Sequence, residues 1–499
     1  MNTLLRGGIR RVDKNKKIDK EVQPFLDWSL VQAGAIKFID SIEKQRLVYP
    51  QPNNVPYGIS INSQEAKKTS IWLKAEKPWE AMRINGYLTV IYEDGIYRLW
   101  YESLGSDCRG DLDTRLCYAE SPDGFSWKKP ILNLVEYEGD KRTNIVFDKN
   151  SNGGFGYHGG TVFLDPVASP SERYKLIYLA KEGKKSQIRG AVSKDGLLWK
   201  PIPEEILDNY VSDTQTVAYY DKKINSYVGY FRSWIEGKIG IFFGGRRAIA
   251  RAITKDFRKW PVPETVLSLG VNYPPSHDLY TNAHILYPER DDLHLFFPAQ
   301  YNREKDSLEI YLATSRDGVK WEYFGNNPVV PLGEKGSSQE GAIYAGCGLV
   351  LLKGDNFALP CVAYPFTHND YIPGAKDYAG GYFWATWKKD RLVAIEASEE
   401  GAFSLPVVAH RINKLYLNFT TKPAGMIGVQ ISEKGKAIPG YTFADCSPIC
   451  GDELRYPVTW RGKEEISVTK GEHTVVQFKM RQAKLFALYI EKTPNDTTL

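Results

Sequence analysis

The sequence predicts an all-β chain in which a five-bladed β-propeller is followed by a β-sandwich. Three observations predict it. One turn recurs as SPDGFSW (121–127), SKDGLLW (193–199), TKDFRKW (254–260) and SRDGVKW (315–321). Each copy follows an apolar strand that carries an alanine, and YFWATWKKDR supplies a degenerate fifth. Ala119, Ala191, Ala252, Ala313 and Ala385 therefore stand 72, 61, 61 and 72 residues apart. No segment sustains a capped 3.6-residue apolar period, whereas alternating, aromatic-rich runs recur along the whole chain.

Residues 1–35 open with a basic run of Arg6, Arg10, Arg11, Lys14, Lys16, Lys17 and Lys20. They are expected to form a solvated arm along the outside of the fold. The start MNTLLRGGIRR lacks the apolar core of a secretory signal. The expected location is cytoplasmic, or exported if a leader has already been removed.

The propeller is expected over 36–395. Each unit pairs two strands through a polar hairpin: LTVIYEDGIYRLWYE, GTVFLDPVASPSERYKLIYLA, TVAYYDKKINSYVGYFR, HILYPERDDLHLFFPA and GLVLLKGDNFALPCVAY. The first strand of each pair is strongly apolar, as befits burial on both faces. A third strand ends near the alanine, and the Asp-Gly supplies the positive backbone angles of a tight reversal. Trp127, Trp199, Trp260 or Trp321 then starts a fourth strand and covers apolar space between blades. Four antiparallel strands, five times over, make the five-bladed propeller. After about residue 395 the repeat stops. Short alternating strands with Pro/Gly turns over 396–499, closing with TVVQFKMRQAKLFALYIEK, are expected to form the β-sandwich.

Composition narrows the function. The 499 residues are 42% hydrophobic and 25% charged, with a net charge of +5 and no apolar run near the length of a membrane span. Neither a basic stripe nor a nucleic-acid-binding signature is present, so nucleic acid is not an expected partner. Aromatic content is high, with 31 Tyr, 21 Phe and 12 Trp against 4 Met, and flat aromatic faces suit both strands and sugar rings. The six cysteines are read as buried thiols, with Cys108–Cys117 or Cys347–Cys361 pairing as the alternative in an exported chain. Cys446 and Cys450 in CSPIC lack the second pair that a zinc site needs. The histidines lack a short ligand spacing on one element, and no metal or other cofactor is expected. The sequons at Asn418 and Asn495 carry no weight.

In a propeller, the residues just before the inner strands crowd one mouth of the central channel. Acids from different blades can face each other there. PWEAMRINGY brings Glu80 and Arg83, GGFGYHGGTVFLDP brings His158, and SDTQTVAYY brings Asp213 and Gln215. SHDLYTNAHILY brings His277, Asp278, Tyr280 and Asn282, GSSQEGAIYAGCG brings Gln339 and Glu340, and FTHND brings His368 and Asp370. Carboxylates and amides hold hydroxyl groups bidentately, while Trp79, Tyr157, Trp234 and Tyr280 offer stacking faces. Two such acids would make the proton donor and the nucleophile or base of glycoside hydrolysis. GGFGYHGG lacks the Lys-Ser/Thr and the helix of a phosphate loop and reads as a tight loop at the mouth.

The runs LCYAESPDGFSWKKPILNLVEYEGDKRTNIVF, DLYTNAHILYPERDDLHLFFPAQY and IPGYTFADCSPICGDELRYPVTWRG resemble the "glycosyl hydrolase family 32 N-terminal-like" proteins. The resemblance extends from FIDSIEKQRLVYP (38–50) to the C-terminus. It implies the propeller-plus-sandwich fold shared by glycoside hydrolase families 32, 43, 68 and 130, with acids on the inner strands and no redox cofactor. It makes Glu80 the first-blade nucleophile or base and Asp213 the third-blade acid, with Asp278 and Glu340 contending as proton donor. The Trp-Met-Asn-Asp-Pro, Arg-Asp-Pro and Glu-Cys motifs of fructan-cleaving members are not matched, and FLDP places Asp165 after Leu164 rather than after arginine.

The expected function is therefore hydrolysis of an oligo- or polysaccharide. Glu80, Asp213, Asp278 and Glu340 are the catalytic candidates. Arg83, His158, Gln215, Tyr280, Asn282, His368 and Asp370 are the substrate-binding ones. The alternatives are a non-catalytic carbohydrate-binding propeller and a phosphorylase with a phosphate site at Arg232, Arg246 and Arg247.

Overall fold

A computed structural model describes residues 22–32, 36–40, 46–50, 55–110, 112–235, 245–370, 380–406, 412–433, 436–467 and 474–492. The basic N-terminal run and Asn495 lie outside the described residues. Regular structure among the described residues is β-strand, apart from three single-turn 3-10 helices. Two units divide between Gln64 and Glu65 and again between Lys389 and Asp390.

In the unit spanning 65–389, the first three repeats and the fourth each build a separate four-stranded antiparallel sheet. The first runs outward from Arg83–Glu93 through Ile96–Leu104 and Arg115–Ser121 to Ile145–Phe147. His158–Leu164, Val217–Asp221 and Ile285–Leu286 open the next three sheets. Neighbouring inner strands touch through Thr216 N–H to the Gly159 carbonyl (2.9 Å) and Thr214 Oγ1 to the Tyr280 carbonyl (3.1 Å). The first and fifth repeats meet through Val90 N–H to the Cys347 carbonyl and Cys347 N–H to the Leu88 carbonyl, both at 2.8 Å. The inner strands thus surround a common axis.

The fifth repeat does not stand alone, so four discrete blades replace the five expected. Its strands Ala342–Ala345, Asn356–Tyr364 and Gly381–Lys388 belong to a nine-stranded sheet. Leu308 pairs in parallel with Ala342 and joins them to Ser307–Ile310, Ala299–Asn302 and His277–Leu279. The physical cause lies in the fourth repeat. Pro298 has no N–H to give a ladder, so the strand read through HLFFPA breaks into His294–Phe296 and Ala299–Asn302, which pair in different sheets. Lys67–Lys68 and Leu73–Lys74, ahead of the first repeat, pair with Gly381–Lys388.

The recurring turn is a staple between repeats. In SPDG, Ser121 Oγ accepts the Gly124 N–H at 2.9 Å, and Asp123 Oδ1 accepts the Phe125 and Ser126 N–H groups at 2.8 and 2.7 Å. Ser193 with Asp195, and Ser315 with Asp317, repeat that pattern. Gly124, Gly196 and Gly318 all take positive φ, at 81°, 76° and 68°. Their carbonyls then accept an aromatic donor from an adjacent repeat: Trp384 Nε1 at Gly124 (2.8 Å), Trp100 Nε1 at Gly196 (2.7 Å) and Tyr230 OH at Gly318 (3.0 Å). Apolar clusters fill the same seams, with Phe163, Ile177 and Ile188 of the second repeat against Phe231, Ala252 and Trp260 of the third.

The second unit is a seven-stranded antiparallel sheet built on Val393–Pro406, Ile412–Glu433 and Thr474–Lys492, with Ser60–Ser63 and Val22–Pro24 as added strands. These long strands break register between Ala397 and Glu400 and between Thr421 and Met426. A bulge bends a strand, and the two halves of each can then face one another. Ile395, Leu417 and Leu485 from one side of the bends, and Leu405, Val429 and Phe478 from the other, share one core with Phe25 and Trp460. That core gives the unit the two-layered character of a sandwich. All six cysteines are free, five of them buried and Cys450 exposed.

Candidate functional site

A cluster of charged side chains drawn from three blades begins at Glu102. This carboxylate lies in the second strand of the first blade and is fully buried. Its Oε1 accepts Asn85 Nδ2 at 2.6 Å and faces His158 Nδ1 at 3.1 Å, while Oε2 accepts the Gly159 N–H at 2.8 Å. His158 opens the inner strand of the second blade and is itself buried. Its other nitrogen, Nε2, faces Asp213 Oδ1 at 3.3 Å. A line Glu102–His158–Asp213 therefore crosses three blades.

The glycine-rich loop sets this line. Gly159 sits at φ +60°, and a Cβ there would lie 2.2 Å from the Thr214 carbonyl oxygen. Only glycine lets the second blade approach the residue that follows Asp213 so closely. The loop thus works as a spacer between inner strands.

Asp213 Oδ2 faces Arg232 Nη1 at 3.4 Å, and Arg232 gives Nη2 to the Tyr280 carbonyl at 2.9 Å. The Arg232 guanidinium lies 4.3 Å from the centre of the Tyr280 ring, a cation–π contact. Arg247 packs over Trp234 and Tyr280 at 5.0 and 5.1 Å. His368 meets the Tyr280 ring edge-on at 4.7 Å, and its Nδ1 lies 2.6 Å from Tyr344 OH. Tyr87 stands edge-on to His158 at 5.2 Å.

Electrostatics assigns protonation states. Burial works against charge on His158, but Glu102 and Asp213 outweigh it and hold the imidazole protonated, well above its ordinary pKa. Burial would raise Asp213, but the His158 hydrogen bond and the Arg232 charge hold its carboxyl well below the usual carboxylate range. His368 is neutral, lowered to about 4 by burial; Asp306 opposes the shift, and Arg247, Arg232 and Arg83 reinforce it.

Of the sequence-derived candidates, His158, Asp213, Tyr280 and His368 come together here. Arg83, half-buried at the start of the first inner strand, is felt electrostatically at His368 and Tyr344. The other acids are placed differently. Glu80 is fully buried; its Oε2 accepts the Glu76 and Lys77 N–H groups and Lys129 Nζ, and its Oε1 accepts Tyr101 OH, so both oxygens have structural donors. Asp278 is equally buried and takes Arg247 Nη1, Arg303 Nε and Arg303 Nη2, each at 2.8 Å. Both carboxylates hold the frame and have no surface for substrate.

Glu340 is half-buried in the loop before Ala342–Ala345, where its Oε2 accepts the Gly336 N–H at 2.6 Å. Asp370 is exposed. Gln215 donates Nε2 to the Leu88 carbonyl and Asn282 donates Nδ2 to the Gln215 carbonyl, so both amides tie inner strands together. Trp79 and Tyr157 are buried in packing, and Arg246 caps the carbonyls of Leu269, Gly270 and Tyr273. Among the described residues, no three His, Cys, Asp or Glu side chains converge as metal ligands.

Sequence reasoning missed Glu102, Tyr87 and Tyr344, and met Arg232 only as a phosphate ligand. A signal existed for Glu102, a lone carboxylate inside the apolar strand IYRLWYESL.

No protein-family model matches the chain, and no curated protein matches it. Solved structures with a similar course include an N-acetylgalactosamine deacetylase from F. plautii in complex with blood group B trisaccharide. It is 14% identical, covers 67% of this chain and 95% of its own, and has a TM-score of 0.44. A glycosyl hydrolase from Bacteroides ovatus is 13% identical over 67% of this chain and 96% of its own, with a TM-score of 0.46. A GH62 hydrolase in complex with xylotriose is 12% identical over 65% and 98%, with a TM-score of 0.43. At such identities and scores no residue or activity is carried across.

Proposed function

We propose that the chain is a glycoside hydrolase whose working carboxylate is Asp213, acting on an oligo- or polysaccharide at the mouth of the ring of inner strands. On this reading the fifth repeat, with the paired strands Lys67–Lys68 and Leu73–Lys74, serves as the fifth blade of the propeller. One observation carries the proposal. Glu80 and Asp278 have no exposed carboxylate surface, whereas Asp213 keeps 34% of its side chain exposed while two cationic groups hold it ionised.

That environment sorts the roles. A carboxylate beside an imidazolium and a guanidinium is a weak base, so Asp213 suits attack on, or electrostatic stabilisation of, a cationic sugar centre better than proton abstraction. His158 has both nitrogens engaged by carboxylates and positions Asp213. Glu340 is the accessible acid on a second inner-strand approach and is assigned as proton donor. Trp234, half-buried, supplies a ring face for sugar, while the buried Tyr280 holds the two arginines in place.

The test is turnover of a cleavable glycan, found by reducing-end release, in variants whose melting is checked in parallel. Asp213→Asn should lower kcat by about 10³-fold or more when assayed well below the variant's own melting temperature, which falls because His158 and Arg232 lose a counter-charge; the kcat effect is of the size expected when a charge acting in the transition state is lost. Full turnover in Asp213→Asn would sink the assignment. Sugar binding without cleavage by the unaltered chain would instead support a carbohydrate-binding propeller.

A further inference from the structure

The surroundings of Asp213 hold more cationic donors than the acceptors among the described residues can use. Asp278 answers two guanidinium groups, Arg247 and Arg303, with one negative charge. Glu102 is matched by His158, Asp213 by Arg232, and Asp306 is taken up by Tyr301 and Asn369, so Arg247 and Arg303 are left to share one carboxylate. Neither Arg232 Nε nor Arg247 Nε has a hydrogen-bond partner among the described residues, although both atoms are shielded from solvent. Arg232 is only 2% exposed, and a guanidinium so placed is held by the fold rather than by water.

A hydroxyl group relieves such a surplus poorly, because it carries no charge and brings a donor of its own. An anionic group adds acceptors alone and pairs with a guanidinium in charge-assisted bonds. Resting on the reading of Asp213 as the working carboxylate, we infer that the glycan unit bound there carries an anionic group, a carboxylate or a sulfate ester, received by Arg247 with Arg232 beside it.

Matched pairs of probes test this in the full chain by calorimetric titration and reducing-end release. The carboxylate arm compares oligogalacturonates with their neutral methyl esters. The sulfate arm compares carrageenan oligosaccharides with neutral agarose oligosaccharides. In one arm the anionic member should bind at least about tenfold more tightly, an advantage that shrinks as salt rises. Arg247→Gln should cut that advantage to about threefold or less. Arg247→Lys, which keeps a charge opposite Asp278 and guards against a folding defect, should restore part of it.

Equal binding of both members in both arms overturns the inference, as does an advantage that survives Arg247→Gln. A neutral glycan whose turnover rises with added inorganic phosphate overturns it too, because the arginines would then serve phosphate. Cleavage of neutral glycans that dies in Asp213→Asn leaves the hydrolase reading standing while the anionic preference falls. Tight binding of an anionic probe without cleavage does the reverse.

Discussion

Acidification should weaken the 65–389 unit at a buried histidine pair, beside a contribution of the same sign from His368. His284 and His294 lie buried in the fourth repeat with Nε2 and Nδ1 only 3.2 Å apart, and Tyr219 OH sits 3.4 Å from the same His294 nitrogen. Around them stand Tyr230, Phe296 and Trp321, with Arg251 and Lys223 disfavouring protonation and Asp221 and Asp317 favouring it. Burial lowers His294 from 6.5 to about 4 and lowers His284 well below its ordinary value, with the neighbouring His294 adding to the shift. The unfolded chain therefore binds protons between pH 6.5 and 4 that the folded chain refuses. Stability is complete above pH 6.5 and falls as pH drops through that window. For His294 alone the loss is about 2 kcal/mol at pH 5 and about 3 kcal/mol once the pH is below 4, at 1.36 kcal/mol per unit. His284 adds a loss of the same sign. Urea unfolding at pH 7 and pH 5, followed by tryptophan fluorescence, measures it, since Trp321 stacks on Phe296 at 3.6 Å beside the pair. His294→Gln should be less stable at pH 7 yet lose about 2 kcal/mol less than the unaltered chain between the two pH values. If both proteins lose the same amount, the pair does not titrate as argued.

Three further outcomes can be checked. Gly196→Ala places a methyl group 2.6 Å from Trp100 Cζ2 at φ +76°, and should cost about 1–3 kcal/mol in chemical denaturation. Asp278→Asn leaves Arg247 and Arg303 sharing a neutral amide in a buried setting, and should destabilise by about 3–5 kcal/mol, visible as a lower Tm. Glu102→Gln removes the largest influence keeping His158 protonated, so the alkaline limb of the pH–rate profile should move to lower pH. An unmoved limb would mean that His158 does not set the charge state of the site.

The blade repeat was legible because one reversal recurs with its chemistry intact. Ser-x-Asp-Gly leaves a mark in sequence, since each of its members has a local backbone partner: Ser121 on Gly124, Asp123 on Phe125 and Ser126. What the spacing could not show is where the ladder of the fourth repeat would break. Pro298 was visible, but its effect depends on which neighbour accepts the freed strand, and the partner, Ala342 against Leu308, comes from another repeat. In the second unit the core membership of Phe25 was equally hidden. Nothing near residue 25 names a partner that lies after residue 400.

The candidates were sought by one rule, that residues before inner strands face the mouth. His158 and Asp213 come together at 3.3 Å, whereas Glu80 and Asp278 are taken up by local donors. A carboxylate at that position can turn toward the channel or back into the frame, and local donors decide. Glu80 has two backbone N–H groups within four residues and Lys129 beside it, while Asp278 has two arginines. Asp213 has no comparable set. Its nearest donors, His158 and Arg232, stand at 3.3 and 3.4 Å, longer than the 2.6–3.0 Å contacts that hold Glu80 and Asp278. A carboxylate held ionised by charge but loosely by geometry retains lone pairs for an incoming group. The length of its contacts, rather than their number, separates Asp213 from Glu80 and Asp278.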